Sequence, residues 1–275
     1  MLRLSRDRLL VSLAPSEVAL VRVQGRLHPH MTDKSFLSCD PQFGREPWEG
    51  AAAALEGAAK ALRARPLDVT VVLSSHFVRY ATLPWSDALD SVQEELAYAQ
   101  HGFTRIYGER AKGWTLRIAD APAGAPRLAS AVDSALIEAL RGCFPKGAKA
   151  KLVSVQPYFM SAVNRWRGEI PAQGAWFLLV EPERACLALH AKGRWQAVQS
   201  VKGRFEAPED WVALVERERL RIDSDSPETL LVRSEAASRA WPKISGWSLR
   251  ALTLPALKGY RPLEDGRYAL ALAAT

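Results

Sequence analysis

The pattern of hydrophobic and polar positions predicts that strands and helices alternate along the chain. Apolar runs at Leu9–Leu13 and Val18–Val23 predict an opening hairpin, and a weaker strand is predicted at His28–Leu37. Apolar residues then recur on one helical face of Pro47–Arg65. The continuous β-branched run Val69–Leu73 predicts a strand buried on both faces. The first 75 residues therefore predict the order β-β-β-α-β.

The middle of the chain predicts an inserted α/β segment. Phe77–Leu83 predicts a further strand, which Pro84 ends. Two helices are predicted at Ser86–Phe103, with Ser86 as its N-cap, and at Leu128–Phe144. The remaining strands of this segment are predicted at Trp114–Ile118 and Lys151–Val155.

The last part of the chain repeats the opening order of elements. After a helix at Gln156–Trp166, the pattern predicts strands Ala175–Glu181, Arg184–Ala191 and Arg194–Val201, helix Pro208–Ile222, strand Thr229–Val232, helix Glu235–Trp241, strand Trp247–Leu252 and a terminal helix Gly266–Ala274. The order β-β-β-α-β thus occurs at 8–75 and again at 175–232. This repetition predicts a duplicated fold.

The segment Val69–Trp85 poses the first question about function. Ser74, Ser75 and His76 follow the carboxyl end of a predicted buried strand, where open α/β sheets tend to bind ligands. The segment is therefore either the lip of a catalytic cleft or the wall of an interaction groove. A Ser/His nucleophile is disfavoured, because no G-x-S-x-G turn exists and adjacent turn residues rarely point at each other.

Charge and cysteine content limit the classes of partner. Lys and Arg exceed Asp and Glu by 37 to 30, a formal charge of +7, but no block of five or six like charges occurs. A nucleic-acid partner remains an alternative, although dispersed surface arginine explains the excess more simply. Cys39, Cys143 and Cys186 are too far apart for a zinc site or a disulfide framework, which favours a reducing, cytoplasmic location. No long apolar run predicts a membrane span or a signal peptide.

Other candidate chemistry has simpler structural interpretations. Glu94, Glu95 and His101 lie on an amphipathic helix, where a solvated face is favoured over acid/base catalysis. His28 and His30 could meet a metal on one strand face, but no third ligand is evident and a surface strand is favoured.

The order of elements resembles the actin-like ATPase (ribonuclease H-like) fold, an α/β duplicated fold. PilM-like proteins of type IV pilus assembly are the nearest in pattern, followed by GspL-type secretion proteins and MshI-like pilus proteins. The resemblance rests on Val69–Trp85, Val153–Tyr158, the turn at 181–184 and Tyr268–Ala273. It implies an α/β insert in the first half and a fourth subdomain that is reduced or absent.

The resemblance also implies a division into three subdomains. Residues 1–76 and 156–170 would form the first actin-like subdomain, to which the closing helix 266–275 would return. Residues 77–155 would form the insert, and residues 175–265 the second actin-like subdomain.

The nucleotide-binding elements of that fold are degenerate in this chain. ATP-binding members carry an acidic residue and glycines in two phosphate hairpins, but neither hairpin here contains glycine, and Pro15 and Pro182 remove backbone donors. The positions that correspond are Ser12, Glu17, Glu181 and Ser234. The resemblance therefore implies no catalytic residue, no metal and no cofactor. An actin-like ATPase with a divergent Mg-ATP pocket is the alternative.

The resemblance implies a protein partner. Family members dock the short cytoplasmic tail of a bitopic inner-membrane protein in a groove, near which Phe77, Arg79, Tyr80 and Trp85 would lie. Alternatively, Phe77 and Tyr80 only pack the insert onto the first half. We expect a non-catalytic cytoplasmic scaffold beside the inner membrane, without a nucleic-acid partner and with self-association left open.

Overall fold

The computed structural model describes residues 7–25, 27–222, 226–234, 243–254 and 256–275. Its strands are β1 (Asp7–Ala14), β2 (Glu17–Gln24), β3 (His30–Ser38), β4 (Leu67–Leu73), β5 (Val78–Leu83), β6 (Trp114–Ile118), β7 (Arg127–Asp133), β8 (Lys151–Pro157), β9 (Ala175–Glu181), β10 (Arg184–Ala191), β11 (Arg194–Lys202), β12 (Thr229–Arg233) and β13 (Ser248–Ala251). Its helices are α1 (Glu49–Leu62), α2 (Val92–Tyr107), α3 (Ser134–Cys143), α4 (Tyr158–Arg165), α5 (Pro208–Arg219) and α6 (Ala269–Leu272).

The first of two compact units is built on a five-stranded sheet. It contains the described residues of Met1–Phe77, Ser134–Arg165 and Leu254–Thr275. The strand order is β3-β2-β1-β4-β8, with β1, β2 and β3 antiparallel and β1, β4 and β8 parallel. Strand β4 lies between β1 and β8, and its valines are fully buried because helices cover both faces of the sheet. This explains the continuous apolar run in the sequence.

The second unit repeats this arrangement of strands. It contains the described residues of Val78–Asp133 and Trp166–Thr253. Its larger sheet has the order β11-β10-β9-β12-β13, with β9, β10 and β11 antiparallel and β12 parallel to β9. The order β11-β10-β9-β12 corresponds strand for strand to β3-β2-β1-β4. The duplicated β-β-β-α-β order is therefore confirmed.

Only residues 203–207 separate β11 from α5, which confirms the expected reduction of a fourth subdomain. The core under α5 is built around two fully buried tryptophans, Trp176 and Trp211. The indole N–H of Trp211 donates to the carbonyl of Phe205 at 2.9 Å, so its polar atom is satisfied inside the core.

A smaller antiparallel sheet in the second unit has the order β5-β7-β6. Helix α2 covers one of its faces, where Phe103 packs on Ala129 and Ala131 of the central strand. The predicted helix Leu128–Phe144 is wrong over its first half, which forms β7. The apolar residues suited a helical stripe, but hydrogen bonds from strands on both sides of β7 decided the conformation.

The N-cap predicted at Ser86 is also wrong, because α2 begins after Ser91. The Ser91 hydroxyl accepts from the N–H of Glu94, and the Glu94 carboxylate accepts from the N–H of Ser91, which makes a capping box. Hydrogen bonds from Asp90 and Ser91 lower the pKa of Glu94. A Ser-x-x-Glu spacing was the signal for this boundary.

The compact units divide the chain at positions other than the expected subdomain boundaries. The chain returns to the first unit at Ser134, since α3 packs on α1 and β8 joins the first sheet. The division into 1–76 with 156–170, 77–155 and 175–265 stays a prediction. The short helix predicted at Glu235–Trp241 lies outside the described residues.

Candidate partner-binding site

The four residues expected near a partner groove differ in their exposure. Phe77 and Tyr80 are each only 7% exposed. Arg79 and Tyr80 are consecutive in β5 and therefore project from opposite faces of the strand. Arg79 donates to the neighbouring carbonyl of Val78 at 3.0 Å. Of the four, Trp85 is the apolar side chain that remains accessible, because it follows β5 outside the sheet.

A small apolar hollow opens beside Trp85, within the second unit. It is lined by Leu83, Pro84, Trp85, Ser86, Leu89, Glu95, Tyr98, Ile118 and Arg127. These residues come from the end of β5, the following loop, α2, the end of β6 and the start of β7. The hollow encloses about 20 Å³, room for about one water-sized or methyl-sized group. Its size therefore suits a small apolar side chain.

Polar contacts hold the rim of this hollow. The indole N–H of Trp85 donates to Oδ1 of Asp87 at 2.7 Å. The guanidinium of Arg127 lies 5.5 Å from the centroid of the Trp85 ring and forms an ion pair with Glu95. The side chains of Arg127 and Glu95 are 24% and 19% exposed, so the pair is largely shielded from water. The cation and the acid thereby fix the indole at the mouth of the hollow.

The sequence pattern pointed to Trp85 but not to Glu95, Tyr98, Ile118 and Arg127 as residues of this site. Glu95 and Tyr98 are three residues apart on α2, a spacing that places side chains on neighbouring positions of a helix. That spacing was a usable signal. No local sequence pattern indicates that Ile118 of β6 and Arg127 of β7 line the hollow, because their positions depend on how β5, β6 and β7 pair.

In the first unit, the degenerate phosphate-hairpin positions lie in and beside a β-turn. Ser12 is buried within β1, opposite Ala19 of β2. Glu17 opens β2, and its carboxylate lies 3.9 Å from the guanidinium of Arg267. Pro15 occupies the turn between the strands, where it has no N–H to offer a phosphate.

The corresponding positions of the second unit lie at the ends of β9 and β12. Glu181 ends β9 and Ser234 follows β12, and both are buried. Pro182 and Glu183 form the turn after β9, with Glu183 in the left-handed region at φ 56°. Burial raises the pKa of Cys186 well above its ordinary value, and the nearby Glu181 carboxylate adds to this effect. Cys186 is thus a buried small apolar residue, as the sequence indicated.

The Ser74–His76 break is a closed local turn. The hydroxyl of Ser74 lies 2.9 Å from Nδ1 of His76, and it also accepts the backbone N–H of His76 at 3.2 Å. The side chains therefore meet, contrary to the expectation that adjacent turn residues point apart. Ser74 is fully buried, so no substrate can reach its hydroxyl in this arrangement.

Neither a metal cluster nor a membrane-spanning helix is found in the part of the chain that the structure describes. His30 places Nδ1 3.4 Å from the backbone carbonyl of His28. Glu94 and Glu95 are engaged in the cap of α2 and the pair with Arg127.

Comparison with solved structures identifies the fold as that of the actin-like ATPases. The chain is similar to a structure of the PilM–PilN type IV pilus biogenesis complex, with 15% identity, a TM-score of 0.64 and 97% of each chain covered. It is similar to the cytoplasmic domain of EpsL, an inner membrane component of the type II secretion system of Vibrio cholerae, with 10% identity, a TM-score of 0.58 and coverage of 98% and 96%. A third similar structure, from Bacteroides thetaiotaomicron, is a protein with an actin-like ATPase fold and unknown function, with 9% identity, a TM-score of 0.56 and coverage of 83% and 81%.

At these identities the similarity establishes the fold, and the expected resemblance to PilM-like and GspL-type proteins is confirmed at that level. No protein-family model matches the chain, and no curated protein matches it by sequence.

Proposed function

We propose that this protein is a non-catalytic bacterial scaffold that docks the cytoplasmic tail of a bitopic inner-membrane protein. The assembly would be a type IV pilus or a machine like the type II secretion system. The scaffold would act in the cytoplasm, at the inner face of the inner membrane. Its net charge of +7 suits a position beside anionic lipid.

The docking proposal rests on the accessible Trp85 beside an apolar hollow at the three-stranded sheet β5-β7-β6. Interface anchors are enriched in tryptophan and arginine, and here the guanidinium of Arg127 lies over the Trp85 ring at the mouth of the hollow. The size of the hollow favours a tail with a small apolar anchor. The similar PilM structure is a complex with PilN, and EpsL is an inner membrane component, which supports the class of partner.

The absence of catalysis is supported by the two hairpin turns. A phosphate needs backbone N–H donors and space for close approach, yet Pro15 and Pro182 remove a donor from each turn and neither turn contains glycine. Glu181 and Ser234 are buried, which further limits a nucleotide site in the second unit.

The docking proposal is tested by searching the neighbouring genes for a bitopic membrane protein and titrating its cytoplasmic tail, as a synthetic peptide, into this chain by isothermal titration. Trp85→Ala should weaken binding at least about tenfold, the effect of removing an interface anchor. Trp48→Ala is the matched control, since Trp48 is a partly exposed tryptophan of the first unit, remote in the chain from the hollow. Binding that survives Trp85→Ala, or falls equally in both variants, contradicts the proposal.

Titration with Mg-ATP tests the non-catalytic part separately. We expect no saturable heat at micromolar nucleotide. Micromolar binding that is lost in Glu17→Ala and Glu181→Ala would instead establish a divergent ATP pocket.

A further inference from the structure

The outer edge of β6 is an unprotected strand edge. β6 is the last strand in the order β5-β7-β6, so within the described residues one side of its backbone has no neighbouring strand. It pairs with β7 in regular register, without a bulge. Proteins usually protect such edges with bulges, proline or charge, because an open edge recruits another strand.

The two outer strands of the first sheet, β3 and β8, carry such protections. β3 has a register shift opposite Arg22 and Val23 and carries Asp33 and Lys34. β8 also has a shifted register and ends at Pro157. β6, with the sequence Trp-Thr-Leu-Arg-Ile, has only Arg117 as a charged residue. β6 therefore lacks the register shifts, the adjacent charges and the proline that are found in β3 and β8.

The register of β6 shows which backbone groups face outward. Ala119 N–H donates to Leu128 C=O at 2.8 Å, so Ala119 and Leu128 form a hydrogen-bonded pair. Because such pairs alternate in an antiparallel ladder, Arg117 and Thr115 also direct their backbone groups at β7. Trp114, Leu116 and Ile118 therefore direct theirs away from the sheet. The N–H of Trp114 is already bonded to the carbonyl of Ala111, which agrees with this assignment.

The side chains of the same three residues are apolar and only partly buried. Trp114, Leu116 and Ile118 lie at the margin of the core beneath α2, while Thr115 and Arg117 are exposed on the opposite face. An added strand would cover the apolar margin and pair with the outward groups that are still available, namely the N–H and C=O of Leu116, the N–H of Ile118 and the C=O of Trp114.

We propose that β6 pairs antiparallel with β6 of a second copy of this chain, about a two-fold axis at Leu116. In this register Leu116 faces its own counterpart, Trp114 faces Ile118, and Thr115 faces Arg117. The hydrogen-bonded pairs then fall on the residues whose backbone groups point outward, and the two small sheets become one six-stranded sheet.

The side-chain pairs of this register are compatible on both faces. Trp114 opposite Ile118 is an aromatic–β-branched pair, which stabilises antiparallel strands. Arg117 meets the uncharged Thr115, so no like charges oppose each other across the axis. The complementarity of the five-residue sequence with its own reverse is the reason to choose a second copy as the occupant over an unrelated extended peptide.

Charge placed at position 115 tests the pairing by sedimentation velocity over a concentration series. Thr115→Arg sets arginine opposite Arg117 twice in the dimer and should raise the dissociation constant about threefold to thirtyfold. Thr115→Glu, the matched control, sets opposite charges across the same pair and should lower it by a similar factor. Both substitutions lie on the exposed face and leave the apolar margin intact.

Cross-linking tests the register itself, in a background with Cys39→Ser, since Cys143 and Cys186 are buried. Thr115→Cys and Arg117→Cys are made as separate chains, because each faces the other position with Cβ atoms about 5 Å apart. A mixture of the two should form a covalent dimer under mild oxidation, and neither variant alone should do so. A monomer at every concentration, or equal cross-linking of each variant alone, overturns the proposal.

Discussion

The ion pair between Glu95 and Arg127 should stabilise the second unit measurably, unlike a typical surface pair. Its side chains are 19% and 24% exposed, and it joins α2 to β7 across 32 residues of chain. Two unit charges 4 Å apart interact by about 1 kcal/mol in bulk water and about 4 kcal/mol near a protein surface. Desolvation and side-chain ordering oppose this attraction. We therefore expect a coupling energy of about 1–2 kcal/mol.

A double-mutant cycle with Glu95→Gln, Arg127→Gln and the double variant measures this coupling, with urea unfolding followed by tryptophan fluorescence. Each single variant should lose about 2 kcal/mol, because it leaves one shielded charge without its partner. The double variant should lose less than the sum of the two single losses.

The pair Glu138–Arg141 on α3 is the control, since its side chains are 66% and 64% exposed. Its coupling should be below about 0.5 kcal/mol and should vanish in high salt, whereas the shielded pair should keep most of its coupling. Equal coupling energies for the two pairs would refute the reasoning that burial sets the difference.

Further predictions concern buried groups and surface charge. Burial raises the pKa of the Cys143 thiol from 9.0 to about 11, so between these pH values the unfolded chain loses a proton that the folded chain keeps. The free energy of unfolding should therefore fall by up to about 2–3 kcal/mol over that pH range. In Cys143→Ala this alkaline decrease should disappear from urea unfolding curves, and a decrease of the same size in the variant would contradict the prediction. Gly174→Ala should lower the free energy of unfolding by about 2–4 kcal/mol, because φ is +98° and a Cβ would lie 2.3 Å from the carbonyl oxygen of His190. Gly193→Ala is the control, since φ is +73° but the space around it is open, and it should lower the free energy of unfolding by about 1 kcal/mol when both variants are measured by thermal unfolding. This chain should not shift nucleic acid in a gel at about 50 mM salt, and a shift would support the alternative of a nucleic-acid partner.

Much of the fold could be predicted from local pattern. The hairpin β1–β2, the buried strand β4 and the repeated order of elements follow from β-branched runs and turn residues, because each run records how many faces of its own element are buried. The segment that forms β7 could not be predicted. Its alanines and serine suit a helix as well as a strand, and the pairing with β5 and β6 decided between them.

For the candidate site, the sequence by itself identified Trp85 as an aromatic residue at a strand end, and it determined the fold class through two copies of one order of elements. The tertiary structure decided that Phe77 and Tyr80 are buried, that Glu95 and Arg127 hold the rim around Trp85, and that β6 is an open edge. The physical reason is the range of each interaction. Periodicity records the burial of one element, whereas a hollow or a sheet edge exists only after distant segments have paired.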